Sequence, residues 1–153
     1  MPRHRAVVVA LAGVAIALAA CGAGPTTTTS APTTTAAPSP TAAITSDWKA
    51  FFSGTTSAQT KISLLENGTQ FRSVIDAQTS SSLAKGASAK VKKVKLVSDT
   101  EATVTYTVLL DGVAALSNQT GTAVLQGGTW KVGSASFCGL LGLEGVKTAA
   151  CSG

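Results

Sequence analysis

Hydrophobic and polar positions divide this chain of 153 residues into four stretches. From Ala6 to Ala20 the run is almost unbroken apolar. From Gly22 to about Ile44 large apolar side chains nearly vanish. From Thr45 to Gln78 they return at helical spacing, and from Lys90 onward they alternate with polar residues. A period near 3.6 marks a helix packed on one face, and a period of two marks a half-buried strand.

In the third stretch, Thr45 or Ser46 can cap a helix beginning at Asp47, with Trp48, Phe51 and Phe52 on one face. Ser57 can cap a second helix running through Lys61 to Glu66, stopped by Asn67-Gly68. Phe71, Val74 and Ile75 stand at i, i+3 and i+4. They predict a third helix over about 69–78, followed by a polar exit at Thr79 to Ser82.

The fourth stretch predicts strands. In EATVTYTVLL (101–110), Ala102, Val104, Tyr106, Val108 and Leu110 share one side, as the pleat requires. KVKKVKLV (90–97) is a strand whose register slips at Lys92-Lys93, the mark of a bulge. Ser98-Asp99-Thr100 turns between these two, so they pair as a hairpin. Asp111-Gly112 ends the second strand. A third strand is expected from about Leu116 to Gln126. Gly127-Gly128 is a hairpin turn, and a fourth strand is expected over Thr129–Phe137. Helices first and an antiparallel meander afterwards give an α+β domain over about 45–153. Its 109 residues suffice for one core.

The N-terminus is an address. Arg3, His4 and Arg5 precede the apolar run, and small residues close it, as in a secretory signal peptide. The run is shorter than the roughly 20 apolar residues that span a bilayer comfortably. Leu18-Ala19-Ala20-Cys21 resembles the lipobox of bacterial lipoproteins. That resemblance implies cleavage after residue 20, a thioether-linked lipid on Cys21, acyl chains such as palmitate, and a position on the outer face of the cytoplasmic membrane. More than one acyl chain holds stably, whereas one alone binds marginally. The competing readings are a chance cysteine in a secreted protein and an uncleaved anchor. Residues 21–44, rich in Thr, Ala and Pro, carry no charge before Asp47 and cannot bury enough apolar surface to fold. They are expected to form a disordered tether reaching roughly 70 Å at about 3.1 Å per residue.

Composition narrows the chemistry. There are 12 Lys and Arg against 7 Asp and Glu, and one histidine, His4. Without Arg3 and Arg5 the balance is 10 against 7, mildly basic and no nucleic-acid signature. Losing His4 with the signal peptide would leave no imidazole. That removes most serine, cysteine and zinc schemes, so no metal, no cofactor and no catalytic residue is expected. Cys138 and Cys151 remain as an even pair in an exported chain and are expected to form a disulfide.

The stretch LQGGTWKVGSASFCGLLGLEG (125–145), with LLENG, SVIDAQ and TVTYTV before it, resembles the low-molecular-weight mycobacterial secreted antigen family. The resemblance implies a cystatin-like or nuclear-transport-factor-2-like cone, with helices across a curved sheet. It also implies an actinobacterial exported or lipid-anchored protein, often antigenic, with no family catalytic residues to carry over. The lipobox, the tether and the cysteine pair depart from that pattern.

Candidate sites follow. The concave side of such a sheet can enclose a pocket, here expected at Tyr106, Trp130, Val104 and Val108. An enzyme, of an isomerase kind, would use Tyr106 as an oxyanion donor with Asp76 or Asp111 as base. The competing reading is a core tyrosine, and Trp130 at a strand start reads as core in the same way. Lys90, Lys92, Lys93 and Lys95 either contact anionic lipid headgroups or wall polymers or guard an edge strand against aggregation. Asn67-Gly68-Thr69 and Asn118-Gln119-Thr120 match a glycosylation pattern too short to carry weight. The expectation is a lipid-anchored envelope protein, retained or shed, presenting a non-catalytic domain to an envelope protein or wall polymer. The alternative is a carrier of an apolar small molecule.

Overall fold

The computed structural model describes residues 37–152. The expected signal peptide, Cys21 and most of the expected tether lie outside the described residues. Helix α1 (Pro40–Phe52) opens the domain. Residues 40–44, assigned to the tether by composition, are therefore helix. The reason is local. The Ser39 hydroxyl accepts from the Ala42 N–H at 3.3 Å, and Pro40 sits at the first helical position, where its fixed φ suits the turn. Ile44, Trp48 and Phe51 then line up at i, i+4 and i+7, and all three are buried.

Helix α2 (Ala58–Leu64) is capped by Ser57, whose hydroxyl accepts from the Thr60 N–H at 3.2 Å. Asn67, at φ 52°, turns the chain into a 3₁₀ turn, Gly68–Phe71. Helix α3 (Arg72–Ser80) follows, so the expected third helix begins as 3₁₀ and extends two residues past Gln78. The polar exit then holds a further short helix, α4 (Ser82–Lys85), capped by Ser81.

Strands β1 (Ala87–Leu96), β2 (Glu101–Leu110), β3 (Val113–Gln126) and β4 (Thr129–Val132) form one antiparallel sheet in the order β1-β2-β3-β4. The sheet curls as a half-barrel beside the helices, giving the expected α+β fold. Of the three hairpin connections, the two tight ones have φ positive at two successive residues, Asp111-Gly112 and Gly127-Gly128. That geometry matches the twist of the flanking strands. The fourth strand stops at Val132 rather than Phe137. Ser134–Leu143 forms helix α5 instead, and a final 3₁₀ turn spans Ala149–Cys151. Phe137 and Leu141 are both buried, and on α5 the i, i+4 spacing stacks them one turn apart on the face turned to the core.

The core joins both layers. Ile44, Trp48, Ile62, Leu65, Phe71 and Ile75 from the helical half meet Ala102, Val104, Tyr106, Ala123 and Val132 from the sheet. Among the described residues no helix is long and apolar enough to cross a membrane.

Candidate functional site

Three features carry functional interest, beginning with Tyr106. Its ring meets Trp48 edge-on at 5.3 Å and Phe52 at 5.3 Å, and it is 2 % exposed. Burial pushes its phenol up to about 12, since the charged form cannot be solvated there. Val104 is fully buried and Trp130 nearly so. These three expected pocket residues therefore sit in the filled core. Asp111 is exposed in its hairpin turn and Asp76 is exposed on α3. Neither is buried beside the tyrosine.

The second feature is a groove of about 230 Å³ at the end of the sheet where β2 meets β3. Of the four expected pocket residues only Val108 lines it. Its apolar walls are Phe51 and Phe52 from α1, Leu83 from α4, Val108 and Leu110 from β2, Leu116 from β3, and Phe137 and Leu140 from α5. Lys61, Gln78 and Glu144 supply polarity. The Gln78 amide donates to Glu144 at 2.9 Å. The Lys61 ammonium lies 6.0 Å from the centroid of the Phe51 ring, and burial pulls its pKa down. The lining comes from eight elements far apart in sequence, five helices and three strands, so no local pattern announces the groove.

The third feature is the outer face of the sheet. The expected bulge lies between Val91 and Lys93. It keeps Val91 and Val94 on the concave side, opposite Tyr106 and Val104, and admits Lys92 as an extra residue. Lys90, Lys93 and Lys95 stand opposite Thr107, Thr105 and Thr103 on the outer side. The rows continue into β3, where Thr105 faces Thr120 and Thr103 faces Thr122. A second irregularity in β3 falls between the partners of Tyr106 and Val108, where Asn118 takes φ 55°. The Lys92 ammonium donates to Asn118 Oδ1 at 2.8 Å, a strap from β1 to β3 across β2. At that level Thr107 is 6 % exposed, and its Oγ1 has no hydrogen-bond partner.

Cys138 on α5 and Cys151 in the last 3₁₀ turn form the expected disulfide, with Cα atoms 5.6 Å apart. It ties the C-terminal segment back onto α5. Among the described residues no group of His, Cys, Asp and Glu could hold a metal ion.

The model of one protein family, described as the low molecular weight antigen MTB12, C-terminal domain, matches residues 36–148. A search of curated proteins finds no match. The family segment and α1 both begin ahead of residue 45, so the domain starts earlier than composition alone suggests.

Proposed function

This chain belongs to the family of the low molecular weight antigen MTB12, and from that premise we propose that it is a lipid-anchored cell-envelope protein presenting a small, non-catalytic binding domain. The disulfide carries the envelope part of this reading, because such bonds persist in oxidising compartments outside the cytosol. Leu18-Ala19-Ala20-Cys21 supplies the anchor. The non-catalytic part is supported by the surroundings of Tyr106, which are aromatic rings, with the candidate acids exposed elsewhere. The decisive test is the intact mass of the protein from its own host. Diacylglycerol and acyl mass on Cys21, with cleavage after Ala20, is the expected result. An unprocessed, unmodified N-terminus overturns the anchor.

The groove favours a second reading, a carrier of an apolar small molecule. Its volume falls below the usual range of about 300–1,000 Å³ for ligand pockets, so a carrier would need the α4 side to open. Native mass spectrometry separates the two. A bound small molecule on the purified protein supports the carrier, and an apo mass supports the binding module.

A further inference from the structure

The excess positive charge of this protein is concentrated on one face. Beyond Arg5 the chain has ten Lys and Arg against seven Asp and Glu. Five of the ten stand on the outer face of the sheet: the four lysines of β1 and Lys131 on β4. Lys131 pairs with Val124, which in turn pairs with outward Glu101. Glu101 is the one carboxylate on that face. The other five cations are set against six carboxylates. The face is therefore about +4, and the rest of the domain is about −1.

Edge protection explains lysines on an outermost strand, but it does not explain the rest of the face. The lysines open rows of threonines that run inward: Lys93, Thr105 and Thr120, and Lys95, Thr103 and Thr122, the last with its hydroxyl 3.2 Å from Ser136 Oγ of α5. Such rows offer a line of cations spaced by the strand repeat beside hydroxyls that donate or accept. They contain no large apolar side chain to insert into a bilayer. On the same side of β2, opposite Lys90, Thr107 is buried and its hydroxyl has no hydrogen-bond partner.

The geometry points to this outer sheet face as a binding site for a linear, hydroxyl-bearing polyanion, with carboxylate or phosphodiester groups along its length. Lys90, Lys92, Lys93 and Lys95 hold the anionic groups, and Thr103 and Thr105 hydrogen-bond the backbone of the polymer. This deepens the binding-domain reading. It is measured on purified protein, so it can fail while the anchor stands.

The test is titration of the full chain with polygalacturonate, with poly(glycerol phosphate), with neutral dextran, and with vesicles of phosphatidylglycerol and phosphatidylcholine in equal parts. One or both polyanions should bind and dextran should not. The two polymers tell carboxylate from phosphodiester recognition. The K90Q/K93Q/K95Q variant should weaken binding by about tenfold or more and flatten its salt dependence. The T103V/T105V variant should weaken it about threefold at unchanged salt dependence. K49Q/K85Q/K147Q removes the same charge elsewhere and should leave binding unchanged. The proposal is overturned if neither polymer binds, if the control variant weakens binding as much as the face variant, or if the vesicles are held more tightly than either polymer.

Discussion

The Glu66 carboxylate caps a helix 68 residues away in sequence. Its Oε2 accepts from the Ser134 N–H at 2.9 Å and from the Ser134 hydroxyl at 2.8 Å. Helix α5 starts at Ser134, and its N-cap, Gly133, has no side chain to do this work. Glu66 is held in place because its own N–H donates to Val132 O at 2.9 Å, so the loop after α2 runs beside β4. A carboxylate at a helix N-terminus satisfies free N–H groups and meets the positive end of the dipole.

Replacing Glu66 with Ala should therefore cost about 1–2 kcal/mol. Glu66→Gln keeps an acceptor and should cost less. Urea denaturation of the three proteins checks the order; an alanine variant as stable as the parent would show that the cap is idle.

Two glycines should respond in opposite directions. A Cβ on Gly121 would lie 2.9 Å from Ser136 Oγ and 3.0 Å from the Trp48 ring. Trp48 is held on its other sides by Phe52 and Tyr106, so it cannot give way freely. Gly121→Ala should destabilise by about 1–3 kcal/mol. Gly139, inside α5, has nothing within 4 Å of such a Cβ. Gly139→Ala should stabilise by roughly 0.5–1 kcal/mol. Thermal melts of both variants measure the contrast.

The disulfide closes a loop with a sequence separation of 13. Removing it by Cys138→Ser with Cys151→Ser should cost about 3 kcal/mol on the loop-entropy estimate. Denaturation under reducing and non-reducing conditions checks this. The parent should fall to the level of the double variant when reduced, and the variant should not respond to reductant.

Tyr106 gives a clean pH signature, as the only tyrosine in the chain. Its pKa is raised to about 12 in the fold and lies near 10 in an unfolded chain. Below about pH 10 both states keep the proton, and the contribution of Tyr106 is intact. Between about pH 10 and 12 the unfolded state loses its proton first, so stability falls as pH rises. Phenolate absorbance should titrate near 12 in the native protein and near 10 in denaturant. A native titration near 10 would mean that the hydroxyl reaches water.

Much of this was legible along the chain because the physics is local. The alternation of β2 set which side chains face the core. Gly127-Gly128 marked a turn that demands positive φ. The Val91-Lys92-Lys93-Val94 slip gave a bulge, because two inward valines separated by two lysines cannot lie on a regular strand. Compositional bias misled at Ser39-Pro40, where a good helix start sits at the end of a low-complexity segment.

The tertiary structure decided what depends on distant partners. Ser134–Phe137 could be read as strand or helix from its own residues. It became a helix because Glu66 caps it and Phe137 packs against Phe51 and Phe71. The groove draws its lining from eight elements, and the strap from Lys92 to Asn118 crosses a strand that separates them. Spacing along a chain sets which face a residue takes, but only closure of the sheet over the helices sets which faces meet.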